Sequence, residues 1–378
     1  MVLNWCQEPP PVSVVTSIAP VGAQPTLYVP SSDHLYAVNA SDGTVRWCQQ
    51  VKPTQELIKA LSTRPYRHHH PPPHLLFGTP QVTNGVVYVC ASSSGQYTCA
   101  FDAGDGTLRW LTPTDAWRVS MPFGDFAVPL VKDGIVYTGT YALNEQDGAV
   151  LRRIALETQW FSPHTLVGDT MYAVSQRGIY AIDAQHGEVH WLYESDAYTS
   201  ISGPLVVADH LLYAGTHGSV DHPETSYCCA LDTETGTEQW RYPMGSYLGA
   251  AIHDESIYVS SGDRSLYALE KHNGSLLWKY QFVSPGHHAA TLAENVLYVN
   301  TDGAYALSSV DGTVLWHQPL GSNPGVSFTP SIVLDGVVYL ASIDGHGQSI
   351  LYSLNASDGT EYWRSHYPNQ IIPLAVAR

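Results

Sequence analysis

The chain has 378 residues, of which 44% are hydrophobic and 13% charged, so it has ample material for a buried core. Acidic residues outnumber basic ones by 34 to 17, and the formal net charge is −17, which argues against nucleic acid or anionic lipid as a partner. The sequence contains no apolar run long enough to predict direct insertion into a membrane.

The chain begins with MVLNWCQEPPP, which lacks the basic and apolar regions of a signal peptide. We interpret residues 1–12 as an N-terminal tail or linker and predict that the folded domain spans residues 13–378. Cys6 and Cys48 share the contexts NWCQ and RWCQ, so the segment around Cys6 resembles an outer strand, and a bond between the two stays open. The end of the chain, residues 370–378, resembles an inner strand.

One motif recurs along the chain, from LYAVNASDGTVRW at residues 35–47 to LYSLNASDGTEYW at residues 351–363. Seven copies place a Gly four residues before a Trp: Gly43/Trp47, Gly106/Trp110, Gly187/Trp191, Gly236/Trp240, Gly274/Trp278, Gly312/Trp316 and Gly359/Trp363. A Tyr in an apolar segment precedes each copy and occurs once more: Tyr28, Tyr88, Tyr137, Tyr172, Tyr213, Tyr258, Tyr298 and Tyr339. Apolar segments that alternate with Gly turns predict four antiparallel strands in each unit.

Units of this size cannot each bury a core alone, and they form one by packing side by side. We therefore predict an all-β fold, a single β-propeller of eight four-stranded antiparallel blades. Seven blades is the alternative, because the stretch near 135–160 is irregular and its Ala155-Leu156 is followed by no Gly-x-x-x-Trp ending. An insertion at 52–76, with a helical turn around Leu57–Leu61, separates blades one and two.

The pattern Ala-x-Asp-x-x-x-Gly-x-x-x-Trp resembles the tryptophan-docking repeat of propellers of the pyrroloquinoline-quinone (PQQ) type, over nearly the whole chain. The resemblance is closest to the non-catalytic branch typified by BamB, a scaffold in outer-membrane protein assembly. It implies an extracytoplasmic location and a role in binding a protein partner or small ligand at the channel face, without a cofactor. We expect a monomer with no catalytic residue and no metal site.

The resemblance leaves two alternatives open. One is a PQQ- and calcium-dependent quinoprotein dehydrogenase, which is the reaction expected if the chain is an enzyme, and the other is the ligand-sensing domain of a membrane-anchored receptor. The dehydrogenase branch implies a vicinal disulfide, but Cys228-Cys229 falls within a predicted third strand, where successive side chains face opposite sides. We expect these two cysteines to be buried thiols. Cys90 and Cys99 are predicted to face each other across a hairpin, and a bond between them stays open.

The candidate ligand site is a collar of aromatic residues, each eleven residues before the Tyr of a second strand. Its members are Phe77, Phe126, Phe161, Tyr247, His287 and Phe328. We predict that this collar surrounds a channel mouth, and that Asp125, His164 and His288 place polar groups beside it. Packing between neighbouring blades is the alternative role for these rings.

Overall fold

The computed structural model describes residues 2–5, 12–14, 25–52, 76–92, 96–114, 128–156, 161–196, 199–218, 222, 225–283, 290–320, 327–343, 348–369, 371 and 374–377. The regular elements in these ranges are β-strands. No helix among these residues has the length and apolar character needed to cross a membrane. The helical turn predicted around Leu57–Leu61 lies outside the described residues.

The strands of the described residues form eight antiparallel sheets, six with four strands, one with five and one with six. Each sheet contains one four-stranded blade, whose strands are numbered here from first to fourth. Blade one contains Ala375–Ala377, Thr26–Ser31, His34–Asn39 and Val45–Lys52, and blade two contains Leu76–Thr83, Val86–Ser92, Gln96–Asp102 and Leu108–Thr114. Blade three contains Leu130–Lys132, Ile135–Thr138, Tyr141–Asn144 and Val150–Arg153, and blade four contains Phe161–Val167, Thr170–Ser175, Gly178–Asp183 and Val189–Glu194.

The remaining four blades have the same order. Blade five contains Thr199–Ala208, Leu211–Gly218, Tyr227–Asp232 and Glu238–Pro243, and blade six contains Tyr247–His253, Ser256–Ser261, Ser265–Glu270 and Leu276–Gln281. Blade seven contains Thr291–Ala293, Val296–Asn300, Gly303–Ser308 and Val314–Pro319. Blade eight contains Ser327–Phe328 and Ile332–Leu334, which both pair with Val337–Ile343, followed by Ser349–Asn355 and Glu361–Tyr367. The fold is an eight-bladed β-propeller, as predicted.

Two compact units make up the chain, residues 1–156 with 347–352 and 362–378, and residues 157–346 with 353–361. Blades one to three fall in the first unit, and blades four to seven fall in the second.

The third blade is regular, which corrects the alignment predicted for it. Its third strand is Tyr141–Asn144, so Ala142-Leu143 takes the position assigned to Ala155-Leu156. Gly148 has a φ of +70°, like the turn glycines of the other blades, and Arg152 stands four residues later where they have Trp. Because Trp marks the end of the fourth strand in the other blades, Arg152 at this position hides the end of blade three from a search of the sequence.

Both chain ends add strands to existing sheets within the first unit. Ala375–Ala377 pairs with Thr26–Ser31 as the first strand of blade one, as the sequence of the C-terminal segment suggested. Val2–Trp5, inside the predicted tail, pairs with Val45–Lys52 as a fifth, outermost strand of blade one. Val12–Val14 pairs with Glu361–Tyr367 as the outermost strand of blade eight.

Six blades are built around a row of Tyr, Ala and Trp that runs across their second, third and fourth strands. Blade three has Arg152 in place of the Trp, and blade eight has Ser353 in place of the Ala. In blade one, Ala37 pairs with Tyr28 on one side and Trp47 on the other. Ala37 is fully buried, and the Tyr and Trp rings approach each other across it with centroids 5.8 Å apart. A small residue between two large rings explains why the repeat requires Ala at this position.

The Trp rings then join one blade to the next. The ring of Trp240 lies against Gly274 of blade six, where an added Cβ would come within 2.5 Å of the indole. The indole N–H donates to the carbonyl oxygen of Lys271 at 2.9 Å, and the hydroxyl of Tyr213 donates to the same oxygen at 3.2 Å. Six other Trp–Gly pairs repeat this arrangement: Trp47–Gly106, Trp110–Gly148, Trp191–Gly236, Trp278–Gly312, Trp316–Gly359 and Trp363–Gly43. The Gly-x-x-x-Trp spacing therefore encodes the contact between neighbouring blades.

Candidate functional site

The predicted collar positions share one level of the first strands. Phe77 pairs with Ala91, Phe161 with Ser175, Tyr247 with Ser261 and Phe328 with Ser342. In every case the partner lies three residues after the Tyr of the second strand, beside the turn to the third strand. This common register is the geometry that the collar requires.

Two collar side chains are fully buried. Phe77 is 0% exposed and meets Phe101 edge-on, with ring centroids 5.9 Å apart. Tyr247 is also 0% exposed, lies against Gly215 of blade five, and donates its hydroxyl to the carbonyl of Pro204 at 3.1 Å. In this structure the two rings pack in the core, which is the alternative role considered for them.

For the other collar residues the structure describes either the backbone alone or nothing. The backbones of Phe161 and Phe328 are in strands. Asp125, Phe126, His287 and His288 lie outside the described residues. A ligand-binding role for the collar stays a prediction.

His164 lies on a β-bulge, because the register of blade four shifts between Pro163 and Thr165. A bulge turns a side chain away from the direction set by strict alternation. Protein surrounds the imidazole although part of its surface stays accessible, and this desolvation lowers the pKa of His164 to about 4. The ring is therefore uncharged near pH 7, where one of its nitrogens can donate a hydrogen bond and the other can accept one.

A set of hydroxyl groups beside the collar was not predicted. The third residue after the second-strand Tyr is Ser or Thr in seven of the eight blades: Ser31, Thr140, Ser175, Thr216, Ser261, Thr301 and Ser342. Six of these are at most 5% exposed, and Thr140 is half-buried. The sequence contains this signal, because the hydroxyl residue follows the Tyr of the second strand by three positions in all seven blades.

A cleft opens between blades six and seven at this level. Its lining comprises Ser260, Ser261, Arg264, Ser265, Phe282, Val299, Asn300 and Thr301. Its volume is about 10 Å³, room for roughly one water molecule and far below the roughly 300–1,000 Å³ typical of sites for drug-sized ligands. The amide of Asn300 donates to the carbonyl of Thr329 at 2.7 Å and to the hydroxyl of Ser331 at 2.9 Å, so it fixes the inner strand of blade eight.

Ion pairs and hydrogen bonds connect the turn between the second and third strands to the fourth strand of the same blade. In blade six, Asp263 accepts the hydroxyl of Tyr267 at 2.5 Å and lies 3.3 Å from the ammonium of Lys279. Lys279 also lies over the ring of Tyr267, 4.6 Å from its centroid. Desolvation opposes ionisation of Asp263, but hydrogen bonds from Tyr267, Ser261 and Lys279 hold its pKa below the usual value. These contacts stabilise the blade and do not form an open site.

The structure contradicts one prediction about the cysteines, the pairing of Cys90 opposite Cys99. Cys90 pairs with Thr98, and Cys99 pairs with Val89, so Cys90 and Cys99 do not oppose each other, and both are free thiols. Cys48 is disulfide-bonded, and Cys6, its suggested partner, lies outside the described residues.

The adjacent pair Cys228-Cys229 lies in the third strand of blade five as buried free thiols, as expected. Their side chains enter two different core clusters, because neighbouring residues of a strand face opposite sides of the sheet.

Comparison with known proteins gives three overlapping matches to one family model, described as outer membrane protein assembly factor BamB, over residues 4–140, 111–246 and 224–370. The chain is 25% identical to BamB of Yersinia pestis over 279 residues, which are 65% of this chain and 67% of the relative. It is 28% identical to the serine/threonine-protein kinase AfsK of Streptomyces griseus over 71% of this chain but only 33% of the kinase. The crystal structure of BamB from Moraxella catarrhalis shares the fold, with a TM-score of 0.61 and 17% identity over 97% of this chain and 98% of that one.

Proposed function

The chain belongs to the family described as outer membrane protein assembly factor BamB, and on this basis we propose that it is a non-catalytic propeller that binds a protein partner as a scaffold. The observation that carries the proposal is the extent of the family match, which runs from residue 4 to residue 370 and leaves little of the chain outside the repeat. The similarity to BamB of Yersinia pestis supports the same role and an extracytoplasmic location.

The partner would bind at the end of the blades that carries the collar level and the turns between second and third strands. Ligand-binding groups are commonly placed on loops held by a rigid scaffold. At this end, Arg264 is exposed and has a φ of +68°.

A quinoprotein dehydrogenase is the alternative, and one of its expected features can be tested against the structure. PQQ in that branch is accompanied by a disulfide between adjacent cysteines. Cys228 and Cys229 do not fit this role, since each thiol is buried in a separate core cluster of blade five.

A ligand-sensing domain is the second alternative. The match to AfsK supports it, because a segment that covers a third of that kinase aligns with most of this chain. A sensor of this kind would bind its ligand without catalysis, so it shares the binding role of the main proposal.

Photo-crosslinking in the protein's own cells tests the proposal. A photoreactive amino acid at Arg264 samples the end of blade six that carries the collar level, and the same amino acid at Asn273, in the exposed turn between third and fourth strands, samples the opposite end. We expect one recurrent protein adduct from position 264 and none from position 273. Absence of adducts at position 264, or equal adducts at both positions, would contradict binding at this end.

A further inference from the structure

The outermost strands of two blades are covered by short segments of the chain itself. Val2–Trp5 runs antiparallel to the fourth strand of blade one, in a register from Val2 opposite Lys52 to Trp5 opposite Gln49. Val12–Val14 runs antiparallel to the fourth strand of blade eight, from Val12 opposite Ser365 to Val14 opposite Trp363. A fourth strand of this fold therefore accepts a fifth antiparallel strand in two separate cases.

The tryptophans of the fourth strands are most deeply buried on the two covered edges and least buried in blades six and seven. On the uncovered edges of blades two, four and five, Trp110, Trp191 and Trp240 are 7%, 9% and 8% exposed. Trp47 and Trp363, on the two covered edges, are 4% and 1% exposed. Trp278 and Trp316, on the fourth strands of blades six and seven, keep an intermediate exposure. No strand in the described part of the chain pairs with the outer side of these two fourth strands.

The fourth strands of blades six and seven also expose adjacent apolar side chains. Leu276 and Leu277 are 46% and 52% exposed, and Val314 and Leu315 are 40% and 53% exposed. An exposed strand edge with apolar side chains readily pairs with another chain unless charge or shape prevents it. These two edges therefore have both the free backbone groups and the apolar surface that a further strand would use.

The fourth strands of the other uncovered blades carry charges that oppose strand addition. Blade three has an equally exposed apolar pair, Val150 and Leu151 at 52% and 53%, but Arg152 and Arg153 follow directly. The fourth strand of blade two carries Arg109, that of blade four carries Glu194, and that of blade five carries Glu238 and Arg241. Blades six and seven differ in the two residues before the Trp, which are the uncharged pairs Leu-Leu and Val-Leu. Lys279 of blade six comes after the Trp and is ion-paired, as Arg109, Glu194 and Arg241 of the other blades are.

We infer that the fourth strands of blades six and seven each bind an extended, uncharged β-strand of a partner protein as a fifth antiparallel strand. The chemistry of this occupant follows from the chain's own fifth strands, VLNW and VSV, which contain no charged residue. Main-chain hydrogen bonds would supply affinity, and the exposed leucines would supply apolar contacts. The inference rests on the proposed role in binding proteins but uses a surface separate from the collar end.

Hydrogen–deuterium exchange of the full chain with a defined peptide tests the inference. The probe is a synthetic peptide of alternating valine and threonine with a lysine at each end. We expect slower amide exchange in 276–281 and 314–319 when the peptide is bound, because a fifth strand pairs the free amides of these edges. The double variant Leu277→Lys and Leu315→Lys should weaken peptide binding by about tenfold or more, whereas Leu151→Lys, at an equally exposed second position, should change it less than about twofold.

Two results would overturn the inference. One is unchanged exchange at both edges in the presence of saturating peptide, and the other is equal weakening by Leu151→Lys and by the double variant. Protection confined to the turns at the collar end would likewise contradict strand addition while it supported the proposed function. Crosslinking at position 264 is read separately, so that failure of the proposed function and failure of this inference are distinguishable.

Discussion

The Trp–Gly contact between blades gives a sharp stability prediction. Gly274→Ala places a methyl group 2.5 Å from the ring of Trp240, close to one ångström inside ordinary contact distance, at a residue with a φ of +70°. Gly336→Ala is the matched control in the same compact unit, because Gly336 has a φ of +75° and no heavy atom within 4 Å of the added Cβ. The two variants share the backbone strain and differ in the steric overlap.

The magnitude follows from these two terms. Backbone strain of an alanine in the left-handed region costs roughly 1–2 kcal/mol, and this is the whole effect expected for Gly336→Ala. Overpacking against the indole adds roughly 1–3 kcal/mol, so Gly274→Ala should lose about 2–5 kcal/mol of unfolding free energy. Combining Gly274→Ala with Trp240→Leu should destabilise by less than the sum of the single variants, because the smaller side chain relieves the overlap.

Urea denaturation followed by tryptophan fluorescence and by far-ultraviolet circular dichroism measures these differences. The expected order of transition midpoints is wild type, then Gly336→Ala, then Gly274→Ala. Equal midpoints for the two alanine variants, or full additivity with Trp240→Leu, would refute the idea that the Gly-x-x-x-Trp spacing encodes the blade contact.

Three further predictions concern titration and thiol chemistry. The folded pKa of Asp263 is lowered, so its contribution to stability is present above its ordinary pKa and is lost as the pH falls through the folded value; Asp263→Asn should flatten the decline of Tm below about pH 4. The folded pKa of His164 is also lowered, from 6.5 to about 4, so stability should fall as the pH drops between these values, and a His164→Gln variant that retained the same decline would contradict this assignment. Burial raises the pKa of Cys90 to about 11 and of Cys229 to about 12, so thiol titration should modify the four buried cysteines only after denaturation, and their fast reaction in the native protein would contradict the packing described here.

The repeat made the fold predictable, whereas details that depend on register were not. Gly and Trp recur because each blade needs a tight turn and a ring that docks on it, so the blade number followed from the sequence. The strands of blade three were not aligned correctly from the sequence, because Arg152 stands where the other blades have the repeated Trp. Cys90 was placed opposite Cys99 through a one-residue error in the hairpin, and a shift of one residue moves a side chain to the other face.

The candidate site was predictable only in part, for a similar reason. The common level of Phe77, Phe161, Tyr247 and Phe328 followed from counting, because the first strands of these four blades pair with their second strands in the same register. Blade five differs, since Ser202 at the equivalent position pairs with Gly215, one residue short of that register. Counting residues gives the level of a side chain but does not show whether it faces a channel or the neighbouring blade. Exposed leucines on the outer strands gave no sequence signal, since an outer strand reads like any half-buried strand.

Thermal unfolding of the full chain with and without PQQ and calcium tests the central claim, that this propeller binds a partner without catalysis. A ligand present at one hundred times its dissociation constant adds about 2.7 kcal/mol to stability and would raise Tm visibly. The account predicts the same Tm with and without the cofactor and calcium, and no quinone absorption in the protein purified from its own cells. A clear rise in Tm that requires both PQQ and calcium would contradict the scaffold role and identify the chain as a quinoprotein.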